Sequence, residues 1–177
     1  MNTATQNLEN DHEYILKLID VMECITTTSD PKVEDLESMV YLIKNYADGL
    51  HHAKEENMLF PKMAEKGFSP EQGPVAVMLH EHVQGREYVK GMAEGIVAYK
   101  SGNQAALSLV YQNMDGYGEL LRNHISKENN VLFRMADNVL SVDEQQSLLD
   151  RFAQVESESA PDEFKNRIES LAKAYQV

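Results

Sequence analysis

One histidine–glutamate pattern occurs twice in the sequence. Residues 51–60 read HHAKEENMLF and residues 124–133 read HISKENNVLF, and the two stretches align without a gap. Each contains a histidine, then a lysine three residues later and a glutamate four residues later. In an α-helix, residues four apart lie about 40° apart in projection and roughly 6 Å apart along the axis, so both side chains can reach one point. Because imidazole and carboxylate groups both bind metals, the pattern predicts two helical arms of a metal site.

The adjacent histidines at the start of the first stretch leave two pairings open. Neighbouring residues of an α-helix point about 100° apart, so His51 and His52 cannot face the core equally. The apolar residues of this segment and its alignment with the second stretch favour His51 with Glu55. His52 with Glu56 has the same spacing and remains the alternative.

The remaining histidines extend the predicted site to four helices. His12, His82 and His124 each fall in phase with the apolar residues of their own segment. His80 and His82 are about 200° apart on a helix, so only one of them can face inward, and the apolar phase selects His82. Burying two carboxylates without a cation costs several kcal/mol each, and a metal would supply the missing positive charge.

The types of ligand narrow the choice of metal. The chain contains a single cysteine, so thiolate-bound structural zinc and iron–sulfur clusters do not fit. Two carboxylates and four or five imidazoles are more ligands than one tetrahedral ion uses. They suit two ions that are bridged by carboxylates between the helices of a bundle. Non-haem iron is therefore the favoured metal, while manganese and zinc are chemically possible.

Four long segments carry apolar residues every three or four positions, which predicts amphipathic helices. They span about residues 4–29, 32–66, 74–102 and 103–138, and turn-forming sequences separate them. Pro61 should kink the second helix or end its regular part early. A capping-box sequence from Ser141 and a proline at position 161 predict two shorter C-terminal helices. The predicted fold is all-α, an up-down-up-down four-helix bundle with two added helices.

This pattern predicts two parts of the chain. Residues 1–138 would form the bundle, and residues 139–177 a helical extension that packs on the bundle or at an oligomer interface. We expect a monomer or a homodimer.

The charge and composition of the chain exclude several classes of partner. The formal net charge is −13, so no basic patch is available to neutralise the phosphates of a nucleic acid, and the same acidity disfavours an anionic membrane. No apolar run approaches the ~18 residues that span a bilayer. The first residues lack the basic and apolar regions of a signal peptide. We therefore expect a cytoplasmic protein with no nucleic-acid partner and no membrane partner.

Four motifs together resemble the hemerythrin-like family, also described as the HHE cation-binding domain. They are Asp11-His12, the HHAKEENMLFP stretch, EHVQGR at residues 81–86, and HISKENNVLF, and the resemblance covers about residues 8–138. The resemblance implies an oxo- or hydroxo-bridged centre of two non-haem iron ions. It also implies a ligand set, with histidines as terminal ligands and glutamates as bridging carboxylates: His12, His51, His82, His124, Glu55 and Glu128.

The sequence departs from the family pattern in the third helix. Oxygen-carrying hemerythrins have a second histidine four residues after the first one there, and this chain has Arg86. A fifth imidazole would then come from His52 or His80, or a tyrosine such as Tyr46 or Tyr117 would take its place. Arg86 itself has two interpretations: a partner of a bridging carboxylate inside the bundle, or a surface arginine paired with a neighbouring glutamate.

This departure argues against simple reversible oxygen carriage. The resemblance then implies a protein that binds oxygen, nitric oxide or peroxide for sensing, storage or detoxification. The alternatives are a di-iron oxidase or peroxidase-type enzyme, or an iron-handling protein. A helical interaction module that binds no metal is a further hypothesis, and metal content and optical spectra distinguish it from the others.

Overall fold

Six helices account for nearly all of the residues that the structure describes. The computed structural model describes residues 3–177, and over this range it contains no strand, which confirms the predicted all-α class. No helix of the described residues is long and apolar enough to cross a membrane. Helix α1 is Ala4–Thr26, α3 is Pro74–Lys100, α5 is Val142–Ser159 and α6 is Pro161–Tyr175. Helices α2 (residues 33–65) and α4 (residues 106–139) consist of successive segments: Val33–Leu42, Ile43–His52, Glu55–Leu59 and Phe60–Glu65 in α2, and Ala106–Lys127, Glu128–Leu132 and Phe133–Val139 in α4.

The four long helices pack as a closed group. Helix α1 contacts α2, α2 contacts α3, α3 contacts α4, and α4 also contacts α1. The two C-terminal helices lie against this group: α5 contacts α1 and α2, and α6 contacts α1. A buried layer between the four long helices is therefore reached by side chains from every one of them.

A polar layer divides the interior into two apolar clusters. One cluster includes Ile15, Leu50, Val89 and Leu121, and the other includes Leu8, Met58, Met78 and Leu132. In each long helix, one predicted histidine lies in sequence between a residue of the first cluster and a residue of the second: His12, His51, His82 and His124. Because apolar clusters lie on both sides, any charge in the layer must be balanced within it.

Helices α2 and α4 contain π-helical stretches, in which backbone hydrogen bonds join residues five apart. The Phe60 N–H donates to the Glu55 carbonyl, and the Phe133 N–H donates to the Glu128 carbonyl. The segments Glu55–Leu59 and Glu128–Leu132 thus occupy matching positions in the two repeats. Only the first of them is followed by a proline, so Pro61 is not their common cause. The chain also remains helical through Pro61 to Glu65.

A third π-helical segment, Ile43–His52, explains how both adjacent histidines are buried. His51 is 1% exposed and His52 is 4% exposed, whereas α-helical geometry predicts that only one of them faces the core. A π-helix turns less per residue than an α-helix, so neighbouring side chains lie closer in direction. The segment depends on Gly49, because a Cβ atom there would lie 2.8 Å from the Lys44 carbonyl oxygen.

The C-terminal helices contribute to both apolar clusters. Phe152 of α5 is fully buried in the cluster that contains Leu8, and Ile168 of α6 is fully buried in the other. Helix α5 begins with both hydrogen bonds of the capping box predicted at Ser141: the Glu144 N–H donates to Ser141 Oγ, and the Ser141 N–H donates to the Glu144 carboxylate. Residues 142–175 therefore share the core of the long helices.

We expect Phe152→Ala to lower the free energy of unfolding by about 3–5 kcal/mol, because it leaves a cavity in a closed cluster. Gln154→Ala, on the exposed side of the same helix, is the matched control and should change it by less than about 0.5 kcal/mol. Urea titration followed by circular dichroism measures both variants. Equal unfolding midpoints for Phe152→Ala and the wild type would contradict the packing of α5.

Candidate metal centre

Two groups of buried side chains in the polar layer could each hold a metal ion. Within each group, one potential ligand atom from every residue lies within 4.8 Å of the others, and all of the residues are buried. The two-histidine group consists of His12, His51, Glu55 and Glu128, and the three-histidine group of His52, Glu55, His82 and His124. Histidines from all four long helices meet here, as expected from their phase in the sequence.

The two glutamates face both groups at once. Glu55 Oε1 lies 3.7 Å from His51 Nε2 in the two-histidine group, and Glu55 Oε2 lies 3.4 Å from His82 Nε2 in the other group. The oxygens of Glu128 lie 3.2 Å and 3.1 Å from the Nε2 atoms of one histidine in each group. One oxygen toward each group is the orientation of a carboxylate that bridges two metal ions.

The Nε2 atoms of four histidines pair with one another, His12 with His51 at 3.0 Å and His82 with His124 at 3.2 Å, but the carboxylate oxygens of the layer have no ordinary partner. All four oxygens of Glu55 and Glu128 are buried and accept no hydrogen bond of good geometry from the described residues. The Nε2 atom of His52 is buried without a partner as well. Such atoms cost several kcal/mol of stability unless a cation or a hydrogen bond satisfies them. This donor set therefore fits two metal ions.

Each of the five histidines turns its other ring nitrogen toward an oxygen. A donating Nδ1–H fixes the tautomer and leaves the Nε2 lone pair free for a metal. Four of these contacts have hydrogen-bond lengths, and the fifth is a longer electrostatic contact. The pairs, with their Nδ1–oxygen distances, are His12–Asn129 (2.7 Å), His82–Glu56 (2.7 Å), His124–Glu81 (2.9 Å), His52–Asp48 (3.3 Å) and His51–Asp11 (3.5 Å).

The repeated lysine supports this arrangement in both halves of the molecule. Lys54 Nζ lies 2.5 Å from Asp11 Oδ2, and the same carboxylate oxygen faces Nδ1 of His51. Lys127 donates in the same way to Glu81, which accepts from the histidine of the second repeat. Each lysine thus holds the acid that orients the histidine three residues before it.

The repeated phenylalanine packs on a histidine of another helix. The ring of His12 stacks on Phe133 with centroids 5.5 Å apart, and the ring of His82 stacks on Phe60 with centroids 6.0 Å apart. Phe60 and Phe133 are the aligned phenylalanines of the two repeats. Histidine, lysine, glutamate and phenylalanine therefore all recur because each has a role at the polar layer.

Helix α5 contributes a carboxylate to the hydrogen-bond network beside the two-histidine group. The Lys54 side chain is fully buried and donates to Asn7 Oδ1 and Glu156 Oε1, each at 2.8 Å, in addition to Asp11. Burial alone would raise the pKa of Asp11, but its contact with His51 and the charge of Lys54 lower that pKa below its ordinary value. Asp11 is therefore a buried anion whose charge is balanced by Lys54. The Lys54 ammonium group is held in turn by the carboxylate of Glu156.

Three of the residues proposed from the sequence lie outside both groups. His80 is exposed on α3. Glu56 accepts hydrogen bonds from His82 Nδ1 and from Arg86, and it is not one of the shared carboxylates. Arg86 is 41% exposed and pairs with Glu56 at 2.8 Å and Asp48 at 2.7 Å. Neither acid is one of the two shared carboxylates, so Arg86 contacts instead the oxygens that hold His82 and His52.

The two tyrosines considered from the sequence belong to neither group. Tyr46 is buried and donates to Asp11 Oδ1 at 3.0 Å, so it supports an acid beside the site. Burial and the negative charge of Asp11 raise the pKa of this phenol. The hydroxyl of Tyr117 is buried without a partner among the described residues. The fifth imidazole of the layer belongs to His52.

Electrostatics split the five histidines into two classes. Burial opposes protonation, but the neighbouring carboxylates outweigh it and raise the pKa of His12, His82 and His124, in the last case to about 10. Burial lowers the pKa of His51 and, together with the positive charge of His82, lowers that of His52 well below the ordinary value. Without metal, a proton on His124 therefore serves as a counter-ion to the buried carboxylates, and the same carboxylates favour the protonated forms of His12 and His82.

Sequence reasoning missed three oxygens that orient histidines. Asp48 lies four residues before His52, so the helical spacing was a usable signal. Glu81 and Asn129 are direct sequence neighbours of predicted ligands, but each contacts a histidine on a different helix. No local pattern identifies such a pair.

Comparisons with known proteins give one match. A family model described as the hemerythrin HHE cation binding domain matches residues 3–136. The matched range contains every residue of the two metal groups and ends before α5. Comparisons with curated proteins and with solved structures give no match.

We expect Lys54→Met to lower the free energy of unfolding by about 3–5 kcal/mol, because it leaves Asp11 as a buried charge without its cation. Lys62→Met removes an exposed i,i+3 ion pair on the same helix and should cost less than about 1 kcal/mol. Chemical denaturation of both variants gives the comparison. A cost for Lys54→Met no larger than that of Lys62→Met would show that the network carries no net stability.

Metal binding at neutral pH should release protons, chiefly from His124, because the neighbouring carboxylates raise its pKa to about 10 and so keep it protonated without metal. His51 and His52 are neutral and should release none. Metal affinity should therefore fall as the pH is lowered, because protons compete for the same nitrogens. Calorimetric titration of metal-depleted protein with zinc, in two buffers of different ionisation enthalpy, counts the protons. Release of none would contradict the assigned charge states.

Proposed function

Because the chain belongs to the hemerythrin HHE cation-binding domain family, we propose that it is a non-haem di-iron protein that binds oxygen, nitric oxide or peroxide. The observation that carries this proposal is the orientation of Glu55 and Glu128, each with one oxygen toward each histidine group. Two ions bridged by carboxylates account for that orientation, and a single ion does not. The binding would serve sensing, storage or detoxification.

The two groups would divide the ligands unequally between the ions. One ion would have two imidazoles and the other three, with both carboxylates shared. The imidazoles would come from His12 and His51 for the first ion and from His52, His82 and His124 for the second. In this assignment His52 supplies the fifth imidazole. Oxygen-carrying hemerythrins have a histidine of the third helix for this purpose, at the position where this chain has Arg86. Manganese or zinc could bind the same donors, but zinc has no redox chemistry, and we favour iron because it combines redox chemistry with affinity for the proposed ligands.

The residues of the chain would prepare this site before any ligand arrives. The acids and the amide on the Nδ1 side hold each imidazole with Nε2 inward, and the buried position of the layer excludes bulk water. The two apolar clusters keep the surroundings of low polarity, which strengthens the interaction between the carboxylates and a bound cation. Iron bound there would supply reversible electron transfer and a coordination position for the ligand.

We also infer the finer organisation of the chain. The contacts of each long helix with the next, and of α4 with α1, support an up-down-up-down bundle within residues 1–138. Residues 139–177 would form a C-terminal extension. Because Phe152 and Glu156 reach the bundle interior and its lysine network, we place this extension on the bundle.

We expect protein purified after iron-replete expression to contain two metal ions per chain by elemental analysis. It should absorb in the near ultraviolet in the oxidised state, and azide should shift that absorption. A colourless protein with less than one metal ion per chain would overturn the proposal.

A pair of variants tests whether the shared carboxylates hold the metals. Glu55→Ala removes an oxygen from both groups and should reduce the metal content to below one ion per chain. Glu56→Gln, on the next residue, keeps a hydrogen-bond acceptor for His82 and should retain both ions. Equal loss of metal in the two variants would argue that the effect comes from the helix and not from the carboxylate.

A further inference from the structure

A cavity of about 190 Å³ lies beside the three-histidine group. Side chains of α2, α3 and α4 line it, and two of them are imidazoles of that group, His52 and His82. An apolar cavity of about 150 Å³ in a protein is large enough to bind benzene. The cavity is therefore larger than oxygen, nitric oxide or hydrogen peroxide requires.

The walls of the cavity are mainly apolar. Ile43 of α2 and Val89 and Ala93 of α3 provide aliphatic surface. Gly85 leaves space one turn after His82, where a Cβ atom would lie 3.5 Å from the ring of Tyr117. A ligand with an alkyl or aromatic body would thus replace water against hydrocarbon, which favours binding.

The cavity also has one buried polar group without a partner. Tyr117 lines it, is 2% exposed, and has a hydroxyl that makes no hydrogen bond with the described residues. Burial raises the pKa of this phenol, so it remains a donor at neutral pH. A ligand with one oxygen acceptor would satisfy it.

The charged side chains of the lining do not favour an ion. Lys44, Lys90 and Glu94 are exposed, and Arg86 is paired with Asp48 at 2.7 Å. These residues carry both signs of charge and lie where solvent reaches them. An ion that entered the apolar part would lose its hydration without meeting an unpaired counter-charge.

We propose that this cavity binds a small neutral organic molecule with a compact alkyl or aromatic body and one oxygen function, which accepts a hydrogen bond from Tyr117. Organic hydroperoxides belong to this class. The contact of such a molecule with a metal ion rests on the proposed function, whereas its binding in the cavity does not. The proposal widens the ligand class of the site beyond diatomic molecules and hydrogen peroxide.

Titration of the full chain with tert-butanol, followed by saturation-transfer NMR, tests the cavity directly. tert-Butanol has the alkyl body of the simplest tertiary hydroperoxide and is unreactive. Wild-type protein should bind it saturably, and Ala93→Phe, which fills the cavity, should abolish binding. Val97→Phe adds the same ring one turn later on α3 at a 66% exposed position and should bind like the wild type. Unchanged binding by Ala93→Phe would overturn the proposal.

Two further comparisons test the chemistry of recognition. Tyr117→Phe keeps the ring and removes the donor, so the Kd for tert-butanol should rise about three- to tenfold. Pivalate carries the same alkyl body on a carboxylate and should bind at least about tenfold more weakly than tert-butanol. Equal or tighter binding of pivalate would identify an anion site instead. Tyr117→Phe also decides the matter if Ala93→Phe does not fold: a Kd unchanged from that of the wild type would overturn the assigned hydrogen bond.

Metal analysis of the same samples separates this inference from the proposed function. Two metal ions per chain without tert-butanol binding would refute the cavity inference and leave the metal centre standing. Saturable binding that Ala93→Phe abolishes, in protein that cannot be loaded with metal, would support the cavity and refute the di-iron proposal.

Discussion

The negative charge of Glu55 and Glu128 is the constraint on which the interior depends. Both side chains are fully buried between two apolar clusters, so their charge has to be balanced inside one layer of the molecule. The carboxylates favour protonation of His12, His82 and His124, and metal ions would compete with those protons for the same nitrogens. The buried carboxylates can therefore be balanced by either protons or metal ions within the same layer.

The two halves of the molecule, α1 with α2 and α3 with α4, support the buried histidines with the same types of residue. An acid followed by a histidine occurs in α1 and again in α3, and each acid is held by a lysine of the next helix. The outer parts of the halves differ. Lys54 is fully buried and bound by Glu156 of α5, whereas the side chain of Lys127 is 42% exposed. The C-terminal helices thus cover the two-histidine half and leave the other half nearer to solvent.

Helical periodicity is a sufficient guide to most of the fold and to part of the site. The six helices follow from apolar spacing and caps, and His12, His82 and His124 lie in the layer because their phase matches the apolar residues beside them. The period assumed for an α-helix is also why sequence reasoning could not place both His51 and His52. That period does not hold in Ile43–His52, and contacts between helices, such as that of Glu81, have no local signature at all.

The π-helical segment of α2 affects how many imidazoles the neighbouring helix α3 has to contribute to the metal groups. It allows one helix to direct His51 to the first group and His52 to the second, so α3 contributes a single imidazole, His82. The next turn of α3 is then free to carry Gly85 and Arg86. A second imidazole at that turn would occupy the space beside His82, where the cavity now lies. The cavity therefore lies against the turn of α3 that carries no imidazole, while the fifth imidazole of the layer comes from α2.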